Sequence, residues 1–447
     1  MKTNFSQGLI VQYVLLGIFA AVAVGFVAFI SLYRGSSDSA SGLDLTGFTI
    51  WGTLPQEHVL PVLNKLIEQD TSYENIAYFE RDPITFIDEF VNAVASGRGP
   101  DLVLLSHESI IREYDKLISI PYSYFPQSEY RNSYFEVADV LIAPEGILAI
   151  PFATDPIILF YNKETQKSIF RADIPNSWED IAIKITPAAT IKNGSVITAS
   201  GIALGSFNNI SYAKDIISTL LLQAGIPIVY RTENGSFVSS LQPFGSQESV
   251  LSPANVVFRF YTEFSNPNKS VYSWNNSLRD DRELFLSGKL FLYLAPASEY
   301  EILTRANPNL NFGTSIIPQP KGAPSPKTFA RLYAFAIPRS ARDSALSISV
   351  ANILSDVNVI AQTNPILPPP HRALFSSYPD SEFGNTVYRS VLISDTWHDP
   401  SFRETEIIFR NAILSIISGR ESTRNAIEGI QQNIEAIILR REEASQQ

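Results

Sequence analysis

The period of the hydrophobic positions changes several times along the 447 residues, and each change marks an element. Residues 14–32 (VLLGIFAAVAVGFVAFISL) are almost wholly apolar, and no charged side chain occurs between Thr3 and Tyr33. As a helix that run covers roughly 28 Å, close to the hydrocarbon thickness of a bilayer. It predicts a short cytoplasmic tail at 1–8 and an uncleaved transmembrane signal anchor at 9–33, with a flexible linker at 34–44 containing GSSDSASG. A cleaved signal peptide, with Ala40-Ser41-Gly42 as the small-residue site, is the competing reading. Lys2 against Arg34 is a thin charge bias that favours an N-terminus inside and the bulk of the chain outside.

Beyond the linker, short β-favouring runs alternate with helical stripes. Phe48-Thr49-Ile50-Trp51-Gly52 predicts a strand, followed by a helix whose Val59, Leu60, Val62, Leu63, Leu66 and Ile67 share a face. Residues 75–79 predict a second strand, and Phe86, Ile87, Phe90, Val91 and Val94 a second amphipathic helix. Leu102-Val103-Leu104-Leu105 is apolar without alternation, the pattern of a strand buried on both faces of a parallel sheet. Further strands are expected at 146–152, 157–163, 290–294 and 333–337, and helices at 345–354 and after Ser422 or Thr423, where Ile427, Ile430, Ile434, Ile437 and Ile438 form a stripe. Ser177 reads as a helix N-cap, and the Pro- and Gly-rich stretch 317–326 as loop. Repeated β-α alternation predicts an α/β fold with a largely parallel sheet, whose ligands sit at the carboxyl ends of the strands.

Composition narrows the function. With 45% hydrophobic and 18% charged residues the chain can bury two cores, and a net charge of −11 without clustered Lys and Arg argues against nucleic acid. Cysteine is absent, which excludes disulfides, thiolate zinc sites, a thiol nucleophile and a lipidated Cys anchor. There is no G-x-S-x-G, G-x-x-x-x-G-K-[ST] or H-E-x-x-H, and His58, His107, His371 and His398 lack metal-pair spacing, so neither an enzyme nor a metal or cofactor site is expected. Asp280-Asp281 reads as a solvated helical face rather than a catalytic pair.

Seven motifs in order carry a resemblance: Gly97-Arg98-Gly99-Pro100-Asp101-Leu102; Ile150-Pro151-Phe152 through Tyr161-Asn162-Lys163-Glu164; Pro175-Asn176-Ser177-Trp178-Glu179-Asp180; Phe285-Leu286-Ser287-Gly288-Lys289; 312–320; Ala336-Ile337-Pro338-Arg339; and Leu367-Pro368-Pro369-Pro370-His371-Arg372. With them the chain resembles the family 1 extracellular solute-binding proteins of ABC importers, which are maltose-binding-protein-like and have a type 2 periplasmic-binding-protein fold. The resemblance implies a two-lobed domain over 45–447 with a hinge at Ala153-Thr154-Asp155. Lobe one would take about 45–152 plus 288–336, and lobe two about 153–287 plus 337–447. It further implies a small polar solute, most simply a sugar, ABC permease subunits as partners, and an extracytoplasmic location at the membrane. A surface sensor or scaffold that keeps the fold without transport is the alternative.

The resemblance also suggests ligand contacts. Trp51 and Thr53 end the first strand, and His107 and Glu108 follow the buried one, with a core aromatic and a solvated turn as the plainer readings. Asp155 in the hinge and Ser298 at a helix entry join them. Phe207 and Asn208 fall where lobe two presents ligand residues, an Asn amide offering both donors and an acceptor to hydroxyls. Trp274, Tyr333 and Trp397 could stack on sugar faces or fill cores alike. Arg331 stands where the family has a Gly pair, and would offer a fork of donors unless it is simply a surface Arg.

Overall fold

The computed structural model describes residues 43–169, 174–232, 235–241, 252–323 and 325–445. The tail, the anchor and nearly all of the linker lie outside the described residues. In chain order the elements that build the site begin with β1 (Phe48–Gly52), α1 (Gln56–Gln69), β2 (Ile76–Glu80), α2 (Phe86–Ala95), β3 (Leu102–Ser106) and α3 (His107–Arg112). Next come β4 (Ile150–Asn162), β5 (Ile191–Asn193), β6 (Val196–Ile202), α4 (Ala213–Gln223) and α5 (Pro253–Glu263). They are followed by β7 (Leu290–Pro296), α6 (Glu299–Ala306), β8 (Phe312–Ser315) and β9 (Thr328–Pro338). The chain closes with α7 (Ser344–Leu354), α8 (Val357–Ala361), α9 (Glu382–Leu392), α10 (Phe402–Ile417) and α11 (Thr423–Ser445).

The main sheet has the order β2-β1-β3-β9-β4-β7-β6-β5, with β8 also on β4. β1 is parallel to β2 and β3, and the unbroken apolar run of β3 is buried on both faces as expected of a central parallel strand. β4 and β9 are the two crossing strands: each is long, they are antiparallel to each other, β9 is antiparallel to β3 and β4 to β7, and each passes from one half of the sheet to the other. The residues 153–156, expected to be a joint between two strands, are continuous strand within β4. Arg331 pairs with Asp155 and Tyr333 with Ala153 at the crossing, and the register shifts between Tyr333 and Ala334. The Leu367-Pro368-Pro369-Pro370 motif docks here, with Pro368 O accepting from Thr154 N at 3.0 Å and Pro370 O from Phe135 N at 2.9 Å.

This pairing revises the division into lobes. β7 and β8, in the segment 288–336 expected in lobe one, pair with the second half of β4 and with β6, so they belong to the second half of the sheet. Conversely, Ile337 and Pro338 pair with Ile118 and Leu117 of the first half, and α7 is fixed there by Ser347 Oγ donating to Asp101 O at 2.8 Å and Arg342 to the Asp101 carboxylate at 2.8 and 2.9 Å. Although 344–361 has the length and hydropathy of a membrane span, it is broken at Ser355-Asp356 and packs on β9 and α1. α9 to α11 return to the second half, where Phe409 stacks on Phe258 at 6.2 Å. The expected isoleucine stripe of α11 is buried, and Ser422 Oγ accepts from Asn425 N at 3.2 Å at its start.

Two interactions in this frame give measurable expectations. Trp274 is fully buried, with Nε1 donating to Asn209 Oδ1 at 3.0 Å. Trp274→Ala is expected to cost about 3–5 kcal/mol in urea unfolding. Asp155 accepts from Ser298 N at 3.0 Å and Ser298 Oγ at 2.7 Å, tying β4 to the start of α6. Burial pushes its carboxyl up to about 6, against the pull of the Ser298 hydrogen bonds. Between the ordinary aspartate range and that value the native state binds more protons than the unfolded chain. The contribution of Asp155 is therefore full below the window and is lost as pH rises through about 6. Asp155→Asn should remove that decline, so unfolding free energies taken from about pH 4 to about pH 7 should converge on or cross in favour of the variant, by about 2–3 kcal/mol; parallel curves would refute it.

Candidate functional site

The carboxyl ends of β1 and β3 on one side, and the loop after β6 leading to α4 on the other, meet over the crossing strands around a cleft of ≈ 530 Å³. That volume lies within the range of small-ligand sites. Its first-half wall includes Thr53, Phe86, Ser106, Glu108 and Arg112. The second-half wall brings Tyr212, Lys214, Asp215, Phe402, Arg403 and Glu406, and Arg331 and Tyr333 form the floor. At the mouth, Arg403 donates to the Ile84 carbonyl of the opposite half.

Arg331 organises the charges. Its Nε donates to Glu108 Oε1 at 3.2 Å and its Nη2 to Asp215 Oδ2 at 3.3 Å, so a cation on the crossing strand joins a carboxylate from each half. Burial alone would raise the Glu108 carboxyl, but the Arg331 guanidinium, with Lys214, holds it down at about 2. For Asp215 burial outweighs Arg331 and the carboxyl sits above its ordinary range. Lys214 is paired at 2.8 Å with Asp399, both side chains being 2% exposed, and its ammonium lies 3.7 Å from the Phe402 ring centroid. The ring stacks against a compensated cation, and Arg331 lies 5.6 Å from the same centroid. The lining is therefore rich in hydrogen-bonding groups whose charges are largely balanced within the protein, with four rings (Phe86, Tyr212, Tyr333 and Phe402) between them.

Of the residues singled out in the sequence, Thr53, Glu108, Arg331 and Tyr333 converge on this cleft. The others do not line it. His107 is fully buried: Nδ1 accepts from Leu332 N at 3.2 Å, which leaves Nε2–H to donate to Thr396 Oγ1 at 2.7 Å, and burial lowers its pKa. It is a neutral core histidine. Asp155 and Ser298 bind each other, as described. Trp51 is half-buried and covered by the Arg81 guanidinium, 4.4 Å from its ring centroid. Phe207 and Trp274 are core residues, and Trp397, 2% exposed, donates from Nε1 to Ser218 Oγ at 3.2 Å. Asn208 is exposed on a turn outside the cleft. Asp281, read as solvated, is fully buried and accepts from Ser211 N and Oγ, its carboxyl pushed up to about 7 mainly by burial.

Sequence reading missed Tyr212, Lys214, Asp215 and Phe402. The signal available was Lys214-Asp215 opening an otherwise uncharged, Leu- and Ile-rich helix, since adjacent charges on a buried helix need partners. Elsewhere, Glu57 and His58 of α1 and Glu301 of α6 bring ligand-type atoms within 4.8 Å of one another. Arg305 already bridges Glu57 and Glu301 there and supplies the positive charge, so this set is an ion-pair cluster between the halves.

No protein-family model matches the sequence, nor does any curated protein. Solved structures do match in fold. A cyclo/maltodextrin-binding protein complexed with maltotetraose aligns with a TM-score of 0.67 at 14% identity, over 88% of this chain and 97% of the other. CpMnBP1 with mannotriose bound gives 0.62 at 18% identity, over 87% and 100%. An ABC transporter solute-binding protein from Thermotoga lettingae bound with α-D-tagatose gives 0.62 at 15% identity, over 88% and 100%. The chain has the α/β periplasmic-binding-protein-like fold of these sugar-binding proteins, across nearly all of the described residues.

Proposed function

We propose that this chain is an extracytoplasmic solute-binding protein that captures a small polar ligand, a carbohydrate, between its two lobes for an ABC importer. The observation that carries the reading is the cleft itself. It lies where parallel strands of both halves end over the two crossing strands, and it is lined by internally paired charges and by four aromatic rings. Paired charges offer donors and acceptors to hydroxyl groups without demanding a charged partner, and rings accept the apolar faces of sugars. The sugars bound in the fold relatives support the same ligand class. Hinge movement about β4 and β9 would let the ligand shift the open and closed populations by its differential affinity for the closed one. We further propose that the apolar run at 9–33 tethers the receptor to the membrane.

A thermal-shift screen of neutral mono- and oligosaccharides, including maltotriose and mannotriose, is expected to give at least one hit. A ligand at a hundredfold excess over its Kd adds about 2.7 kcal/mol to the native state. A panel without any shift would sink the carbohydrate reading. Phe402→Ala should weaken that hit about tenfold, or about 1.4 kcal/mol, by calorimetry. On cell fractionation the full chain should follow the membrane, and a chain lacking 1–42 should be soluble with unchanged affinity; full-length chain in the soluble fraction would refute the tether.

A further inference from the structure

The wall that Tyr212 contributes is held by groups that do not themselves touch the cleft. Glu299, the first residue of α6, is fully buried. One oxygen, Oε1, accepts from Arg282 Nη2 at 2.6 Å and from the Tyr212 hydroxyl at 2.6 Å. The other, Oε2, accepts from Arg282 Nε at 2.9 Å and from the Tyr293 hydroxyl at 3.2 Å. Arg282 Nη2 also reaches the Tyr212 oxygen at 3.3 Å. The buried carboxylate thus accepts four charge-assisted or phenolic hydrogen bonds, two of them from the half-buried Arg282 fork, which fixes its geometry. On the other side of the same turn, Ser211 N and Oγ donate to Asp281, the residue next to Arg282. On the other side of Glu299, Ser298 binds Asp155 of the crossing strand.

We propose that Glu299 and Arg282 are positioning residues for the cleft: the pair, a buried carboxylate held by a half-buried guanidinium, locks the Tyr212 hydroxyl and so presents the Tyr212 ring to the ligand, in register with the crossing strand to which α6 is tied. Tyr212 then contributes its ring face rather than its hydroxyl, because the hydroxyl proton is committed to Glu299 and burial beside that carboxylate keeps the phenol protonated. The ligand part of this inference rests on the cleft being the solute site; the orientation part does not.

The test separates the two. In full chain labelled with meta-fluorotyrosine, the fluorine NMR line of Tyr212 is the one missing from Tyr212→Phe. Glu299→Gln is expected to shift and broaden that line, and Arg282→Lys, which keeps the charge but loses the fork, serves if Glu299→Gln does not fold. A Tyr212 line unchanged in a folded variant overturns the proposal, whatever the ligand. Calorimetry with the saccharide found by thermal shift supplies the second arm. Glu299→Gln should weaken binding about tenfold in the otherwise native chain and have no further effect in a Tyr212→Phe background, since the effect passes through that hydroxyl. Additive losses would show that Glu299 acts by another route. If the native chain binds no saccharide, the solute reading fails and the fluorine spectrum still decides the orientation.

Discussion

Where β4 and β9 pass side by side between the two halves of the sheet, Asp155 and Arg331 face each other in the ladder, and neither is free to be a simple surface charge. Burying one guanidinium without partners is unaffordable, so the fold brings Glu108 from one half and Asp215 from the other onto Arg331, while Asp155 is satisfied by Ser298. These contacts define the floor of the cleft. They also decide that both halves must approach the crossing strands closely, because removing either carboxylate leaves the Arg with half its partners. The walls then follow from the first turns of α3 and α4, which supply those carboxylates.

The two carboxylates on Arg331 are not equivalent. Glu108 is drawn down by Arg331 and by a further neighbour, Lys214, and remains a firm anion. Asp215 is dominated by burial and is the more easily protonated of the pair. Loss of the Asp215 charge on acidification would loosen Arg331 from the second half while leaving it held to the first. The cleft therefore has a strong side and a weak side, set by how far the charges around each buried carboxylate offset its burial.

Much of the fold was legible because period and burial agree. The unbroken apolar runs at 102–105 and 290–294 are indeed central strands, and the 59–67 and 427–438 stripes are indeed buried helix faces. What was not legible is which half of the sheet each strand joins. Leu290 to Leu294 has the same local pattern whichever neighbour it pairs with, and only the length of β4 through residues 153–156 puts it in the second half. The site was legible where a polar residue ends a strand or stands on the crossing, as Thr53, Glu108 and Arg331 do. It was misleading for large rings and for His107. A tryptophan or histidine looks the same in sequence whether its polar atom meets a ligand or, as for Trp274, Trp397 and His107, an internal Asn, Ser or Thr.

The pairing of β3 with β9 has a consequence for how the chain acquires its structure. Leu102–Ser106 must wait for a partner more than two hundred residues further along the chain, with the second half of the sheet lying largely between them. Closing so long a loop carries an entropic cost, and contacts of this separation form slowly. During vectorial synthesis β1, β2 and β3 would stand as a sheet with one raw edge until Thr328–Pro338 emerged, exposing buried apolar positions such as Leu104 and Leu105 in the meantime. The same crossing that joins the two halves of the sheet thus leaves the first half dependent on the second half of translation, and on whatever shields its edge until then.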